Sequence, residues 1–149
     1  MKFSTRGRYT LRMLSDIAIH QENDVFVSLL EISRRQNISF KYLERLIPPL
    51  VKGGYLESAK GREGGYRLKK KPEDISIDKI LTITDSLVPV ACLKGNPEEC
   101  GHYQVCTTVG MWKAFQQNMH AFFAQYTIRD LIDGRLALPG QTLTEEQES

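Results

Sequence analysis

The sequence lacks cysteine everywhere except between positions 92 and 106, where three cysteines stand within fifteen residues. It has no apolar run of about 18 residues, so no membrane-spanning helix is expected. The first residues lack the apolar core of a signal peptide. No cofactor fingerprint, Ser/His/Asp set or carboxylate pair is recognisable. These absences predict a cytoplasmic protein that is not an enzyme and does not interact with membranes.

The charge of the chain is unevenly distributed. The length of 149 residues is typical of one main domain. Residues 1–71 contain fifteen lysines and arginines against seven acidic residues, a net charge of +8. Residues 72–149 have a net charge of −6. A basic half indicates a polyanionic partner, nucleic acid first, although an unevenly charged surface could also serve solubility alone.

The first half has the pattern of a winged helix–turn–helix. Apolar spacing, caps and turn residues predict these elements in order: helices over 5–21, 29–36 and 40–47, the last capped by Ser39, then strands over 55–60 and 66–68. A very short strand is expected over 25–27, and Pro48-Pro49 predicts a break or kink in the third helix. The expected fold class is therefore mainly α with a small β-hairpin wing, the winged domain covering residues 1–71.

The predicted DNA contacts lie on the third helix, the wing and the start of the first helix. The first turns of a helix in the major groove present side chains to base edges, where Arg45 suits guanine, while Ser39 and Tyr42 suit phosphates. Wing glycines allow close backbone approach, and arginine is favoured in the minor groove. The full predicted set is Arg6, Arg8, Ser39, Lys41, Tyr42, Arg45, Lys60, Arg62, Gly64 and Gly65. A solvated helix face beside a charged β-turn is the alternative.

The second half is expected to provide dimerisation. Helices are predicted over 77–86, 107–126 and 128–133, within a region spanning residues 72–135. Residues 136–149 are expected to form a disordered tail. The longest helix carries more large apolar side chains than a small winged domain can cover: Val109, Trp112, Phe115, Met119, Phe122, Phe123 and Tyr126. A homodimer that pairs two such helices would bury them, although capping of the chain's own core or contact with another protein remains open.

The cysteine spacing favours an iron–sulfur cluster over zinc. Zinc sites usually use paired cysteines separated by about 2–4 residues, whereas these are separated by seven and then five. Thiolates on a flexible loop can wrap a larger cluster, which needs four ligands. We therefore predict Cys92, Cys100 and Cys106 as metal ligands, with His102 as the local candidate for the fourth and Glu98 and Glu99 as weaker ones. A thiol switch or a zinc clasp stays open.

Three motifs and the cysteine triplet together resemble the IscR/NsrR-type bacterial repressor family. The motifs are Ser-Thr-Arg-Gly-Arg-Tyr at 4–9, Ile-Ser-Phe-Lys-Tyr-Leu-Glu at 38–44 and Gly-Arg-Glu-Gly-Gly-Tyr-Arg-Leu at 61–68. The resemblance covers about residues 1–135. It implies a dimeric winged-helix regulator, mainly a repressor, whose binding to double-stranded promoter DNA changes with the state of a cluster held by the three cysteines. Members respond to cluster supply, iron, nitric oxide or redox stress.

Two departures from that family leave the cluster type open. IscR-like members usually place five residues between the first two cysteines, where this chain has seven. They also have a histidine three positions after the last cysteine, where this chain has Val109. NsrR-like members can recruit an acid from the partner's first helix, but Gly7, Arg8 and Tyr9 offer none. Both a 2Fe–2S and a 4Fe–4S cluster remain candidates.

Overall fold

A computed structural model describes residues 2–22, 25–85 and 87–136. Its elements, in chain order, are α1 (Thr5–His20), α2 (Leu29–Gln36), α3 (Phe40–Lys52), β1 (Leu56–Ala59), β2 (Gly65–Leu68), α4 (Ile77–Thr84), α5 (Val109–Ala124) and α6 (Ile128–Asp133). The predicted class, mainly α with a small β-hairpin wing, is confirmed. None of the described helices is long and apolar enough to cross a membrane. Apart from Leu136, the predicted tail lies outside the described residues.

Local capping signals explain the helix–turn–helix. The Ser4 hydroxyl accepts a hydrogen bond from the Gly7 N–H at the start of α1, and the Ser39 hydroxyl accepts one from the Tyr42 N–H at the start of α3. Between α2 and α3, Asn37 adopts the left-handed conformation with φ of 52°. Asparagine tolerates this conformation better than most residues, so α2 ends there and the chain turns into α3.

Of the break or kink predicted at Pro48-Pro49, the break does not occur, because α3 continues to Lys52. The two prolines remove the N–H groups that would bond to the carbonyls of Glu44 and Arg45. Both of these residues are exposed, so water can satisfy their carbonyls. The other face of the helix is anchored by buried side chains: Leu43, Leu46, Ile47 and Leu50.

The wing is a two-stranded antiparallel hairpin joined to the segment that precedes α2. Val27 and Tyr66 exchange backbone hydrogen bonds of 2.7 and 2.9 Å, so the short strand predicted near Val27 is present as a single bridge. A Cβ on Gly65, whose φ is 148°, would collide with the Val27 carbonyl oxygen. A Cβ on Gly64 would collide with the Ala59 carbonyl oxygen. Strand packing therefore requires glycine at both positions.

The two halves of the chain share one buried apolar cluster. It includes Met13 of α1, Leu46 of α3, Ile80 of α4, Met119 of α5 and Ile128 of α6. Helix α1 packs against both α4 and α6. The helices of the second half are thus built directly onto the helix–turn–helix.

The predicted apolar stripe of α5 divides into an inner and an outer part. Met119 is buried, and Phe123 packs against the core. By contrast, Met111, Phe115 and Phe122 are 58%, 41% and 52% exposed. Successive helical residues are about 100° apart, so neighbouring positions along α5 lie on different faces. The outer face, rather than the whole stripe, is available to a partner.

Candidate functional site

Helix α3 and the first turn of α1 present basic side chains on one surface. Lys41 and Arg45 are exposed on α3, as is Ser39 at its cap. Arg6 of α1 lines the same shallow depression as Arg45, together with Tyr42 and Leu46. The structure therefore brings together predicted residues that are about forty positions apart in the sequence. Arg8 is also exposed on α1.

Tyr42 lines this surface and also packs against Tyr9 of α1. Its ring is half-buried and meets the Tyr9 ring edge-on, with centroids 5.6 Å apart and planes at 80°. The guanidinium carbons of Arg8 and Arg12 lie 6.0 and 5.2 Å from the centroid of the Tyr9 ring. An aromatic and cationic cluster therefore lies beside the first turn of α3.

The wing offers two exposed cations near its tip, Lys60 and Arg62. Arg67 is used differently, because its side chain pairs with Glu57 and lies over the Phe26 ring at 4.5 Å. Gly64 and Gly65 are explained by strand packing, and their contact with DNA stays a prediction. The wing thus retains Lys60 and Arg62 as its candidate phosphate or groove contacts.

The cysteines lie on the long connection between α4 and α5, each in or directly after a short 3-10 turn. Cys92 lies within the turn Ala91–Leu93, Cys100 follows Pro97–Glu99, and Cys106 follows Tyr103–Val105. All three thiols are free; Cys92 and Cys100 are exposed, and Cys106 is partly so. Within residues 2–22, 25–85 and 87–136, no three Cys, His, Asp or Glu side chains are grouped closely enough to hold a metal ion.

His102 is exposed at the start of the last of these turns, and its role as a fourth ligand stays a prediction. Cys106 lies beside Thr108. Hydrogen bonds from the side chain and then the backbone of Thr108 lower the pKa of the Cys106 thiol, since they stabilise the thiolate. The Sγ–Oγ1 distance is 3.6 Å.

Helix α5 holds the cysteine connection, hereafter the cysteine loop (residues 87–108), at two places. The Lys113 ammonium donates a hydrogen bond of 2.8 Å to the Tyr103 hydroxyl and lies 4.9 Å from the centre of that ring. The Gln116 amide donates a bond of 3.1 Å to the Leu87 carbonyl. A change in the conformation of the loop would therefore act directly on α5.

Sequence reasoning missed a buried ionic cluster behind the helix–turn–helix. Asp16 of α1 is 1% exposed and accepts bonds from the Arg35 guanidinium and the Gln36 amide of α2, the shortest to each being 2.7 and 2.8 Å. Arg12 in turn donates to the Gln36 side chain and backbone carbonyl. Asp16 stands next to Ile17 on the apolar face of α1. An acidic residue on an apolar helix face could have indicated that a buried ion pair forms there.

Asp16 stabilises the fold only while it is ionised. Burial would raise the pKa of its carboxyl, but hydrogen bonds from Arg35 and Gln36 outweigh burial and lower the pKa from its ordinary 3.8. A lowered pKa in the folded state means that this stabilisation is complete above that ordinary value and is lost as the pH falls below it.

We expect Asp16→Asn to reduce the free energy of unfolding at pH 7 by about 2 kcal/mol, since charged hydrogen bonds are lost. The difference from the unsubstituted protein should persist above the ordinary pKa of 3.8 and shrink as the pH falls below it, as measured by urea unfolding. Asp133→Asn is the matched control, because the ion pairs of Asp133 within the described part of the chain are with Arg129 and Arg135, whose side chains are exposed. An equal loss in both variants would contradict the assignment.

Comparisons with known proteins agree with this architecture. A family model described as "Rrf2: Iron-dependent Transcriptional regulator" matches residues 3–134. The protein named rrf2 of Nitratidesulfovibrio vulgaris is 41% identical over 133 residues, which cover 89% of this chain and 87% of that protein. The structure of T. potens IscR aligns with a TM-score of 0.72 and 26% identity, covering 97% of this chain and 93% of that one. CymR, the global cysteine regulator of B. subtilis, aligns with a TM-score of 0.70 and 27% identity, covering 90% and 98%.

Proposed function

The chain belongs to the Rrf2 family of transcriptional regulators, and from this we propose a homodimeric repressor whose affinity for double-stranded promoter DNA is set by an iron–sulfur cluster. The predicted resemblance, and the prediction that the protein is a regulator rather than an enzyme, are confirmed by the family. The observation that supports it is the cysteine loop, which carries three free thiols and is bonded to α5 through Tyr103 and Leu87. We place the protein in the cytoplasm, where promoter DNA is found.

The donor set suits a cluster, and the loop leaves room to assemble it. Thiolates are the protein ligands that iron–sulfur clusters use most. Cys92, Cys100 and Cys106 have no disulfide partner, and the turns that carry them are closed by short-range backbone bonds. Bringing the three thiols together requires rearrangement of these turns but breaks no core packing at the cysteines. A bound cluster would supply an iron that is open to exchange with oxygen, nitric oxide or a small ligand.

The described contacts connect the loop to the DNA-binding surface through both of its ends. On the α5 side, Gln116 bonds to Leu87 at the start of the loop and Lys113 bonds to Tyr103 near its end, while the His120 ring bonds to Asp78 of α4 at 2.6 Å. At the entry, the Asp85 carboxylate accepts a bond of 2.8 Å from the Ser4 N–H, at the start of the helix that carries Arg6 and Arg8. A ligand that favours one loop conformation would therefore favour one placement of α1 and α5.

The outer face of α5 supports the dimer. Met111, Phe115 and Phe122 lie at intervals of four and seven residues, which places them on one side of the helix. Burying such side chains against their copies stabilises association, and two-fold symmetry is the usual arrangement for homodimers. We propose that this face is the core of the dimer interface.

We expect Phe115→Glu to weaken self-association by at least about tenfold, because two carboxylates would face each other near the symmetry axis. Analytical ultracentrifugation over a concentration series measures the change. Ile19→Glu introduces the same charge at a side chain that is 54% exposed on α1, and it should leave association unchanged. Equal sedimentation of Phe115→Glu and the unsubstituted protein would exclude this face.

The direct test of the proposed function is reconstitution without oxygen. Visible absorbance with stoichiometric iron and sulfide, together with a change in DNA affinity when the cluster is removed, supports it. A colourless protein without iron or sulfide after reconstitution refutes cluster binding. DNA duplexes enriched by the protein from a random-sequence pool provide the binding probe.

A thiol switch is the second candidate, and the exposure of the cysteines is the observation that favours it. Exposed thiols are accessible to oxidants, and oxidation to sulfenic acid or a disulfide could then alter the loop. A zinc clasp would use the same donors. Metal analysis and thiol counting before and after treatment with hydrogen peroxide separate these possibilities from the cluster.

A further inference from the structure

Helix α1 contacts the helix–turn–helix through two side chains that lie one turn apart. Tyr9 meets Tyr42 in the first turn of α3, with ring centroids 5.6 Å apart. Arg12 donates to the backbone carbonyl and the side chain of Gln36, the last residue of α2. Residues at i and i+3 lie on the same side of a helix. One face of α1 therefore contacts the chain on both sides of the turn at 37–39.

Tyr9 and Arg12 also contact each other. The Arg12 guanidinium lies 5.2 Å from the centroid of the Tyr9 ring while it bonds to Gln36. Gln36 is held in addition by Asp16, through an amide bond of 2.8 Å. Arg12 and Arg6 are both exposed, but the Arg12 guanidinium is bonded to Gln36, so its contribution should differ from that of Arg6, which we assign to DNA.

The first two turns of α3 carry the helix side chains that we assign to DNA. Lys41 and Arg45 lie one position before and three positions after Tyr42. An edge-on aromatic contact has a preferred geometry, so the Tyr9 ring restricts the rotation of α3 about its own axis. Rotation of a recognition helix changes which base edges its side chains can reach, whereas attraction to phosphates depends little on it.

We propose that Tyr9, held by Arg12, is a positioning residue for sequence reading by α3. It sets the orientation in which Lys41 and Arg45 meet the major groove without itself supplying base contacts. This proposal rests on the proposed binding of promoter DNA through α3. It predicts a loss of specificity rather than a loss of electrostatic attraction.

The test uses two variants of Tyr9 and two DNA probes. The specific probe is a duplex selected by the unsubstituted protein from a random-sequence pool, and the second probe is a scrambled duplex of equal length. Tyr9→Leu should lower affinity for the selected duplex about tenfold and leave affinity for the scrambled duplex unchanged. The salt dependence of binding should also stay the same, because no charge is removed. Tyr9→Phe, which keeps the ring, should restore the affinity of the unsubstituted protein.

Arg12→Lys gives an independent variant in case Tyr9→Leu does not fold. It keeps the positive charge but loses the planar fork that bonds to Gln36, so it should show the same selective loss. Equal weakening on both duplexes, or unchanged affinity in both variants, overturns the positioning role. Tyr9→Phe binding as weakly as Tyr9→Leu also overturns it, since the hydroxyl would then contact DNA itself.

Failure of this inference can be distinguished from failure of the proposed function. If the unsubstituted protein enriches no sequence from the pool, sequence reading is refuted and the positioning role with it. If Arg45→Ala weakens binding to the selected duplex and neither Tyr9→Leu nor Arg12→Lys does so, only the positioning role is refuted.

Discussion

Alanine at any one of Cys92, Cys100 or Cys106 is expected to abolish the visible absorbance of the anaerobically reconstituted protein. Iron and sulfide content should fall toward zero in each variant, since two remaining thiolates are a poor ligand set for a cluster. Promoter affinity should then equal that of the unsubstituted protein after its cluster has been removed. Absorbance spectra, iron and sulfide counts and DNA binding are measured on the same preparations.

The fold should survive these substitutions. Cys92 and Cys100 are exposed, and Cys106 contacts Thr108 at the surface, so no core cavity is created. Substitutions at such positions usually change stability by less than about 0.5 kcal/mol. Val105→Ala is the matched control, because it changes a 75% exposed side chain of the same loop that has no metal-binding group. Retention of the full spectrum in all three cysteine variants would refute the ligand assignment.

The variant His102→Ala addresses the fourth ligand separately. If His102 binds the cluster, its spectrum should differ from that of the unsubstituted protein, while the three cysteines still retain iron. If the spectrum is unchanged, another group or a small molecule completes the set. The ligand assignment of the three cysteines does not depend on which result is obtained.

Arg45→Ala is expected to lower affinity for the selected duplex by about 10- to 100-fold, the range of one bidentate contact with guanine. Arg45 is exposed on α3 and lines the same depression as Arg6, so its guanidinium can reach the groove beside a phosphate contact. The loss should be concentrated at one base pair, which binding to a series of singly substituted duplexes would reveal. Lys41→Ala should weaken binding more evenly and reduce its salt dependence if it contacts a phosphate.

Arg129→Ala serves as the control for loss of a positive charge. Arg129 is 42% exposed on α6 and pairs with Glu73 and Asp133, away from α3 in the chain. It should leave DNA affinity within about twofold of the unsubstituted protein, since α6 carries none of the predicted DNA contacts and exposed charges are screened at physiological salt. The assignment of Arg45 fails if the two arginine variants bind the selected duplex equally well.

Local signals in the sequence predicted most of the helices and the wing. Serine caps, a left-handed asparagine and apolar spacing act within a few residues, so α1, α2 and the start of α3 could be placed without knowledge of the rest. The continuation of α3 through Pro48-Pro49 could not be predicted in this way, because the buried side chains of the helix are held by packing against other elements. The choice of Tyr66 as the pairing partner of Val27 and the need for glycine at 65 likewise appear only once the strands are assembled.

The candidate site was predictable in composition but not in arrangement. Spacing singled out Cys92, Cys100 and Cys106, yet nothing in the sequence shows whether their thiols converge, since a loop of this length has many conformations. The division of α5 into inner and outer faces could not be predicted. An apolar pattern does not show which of the apolar side chains of a helix pack against other elements of the same chain. The Asp16 cluster depends on Arg35 and Gln36, which only folding brings next to α1.

The β-bridge between Val27 and Tyr66 has a consequence for how such a regulator can select its operators. The bridge fastens the wing to the chain immediately before α2, and β1 also packs against α3, so we expect the wing and the helix–turn–helix to move together. In a dimer of such units, the DNA-binding geometry can then vary mainly through the distance and the angle between the two copies. Operators should therefore be distinguished by the number of base pairs separating their half-sites, and inserting or deleting one central base pair should penalise binding even where every contacted base is retained.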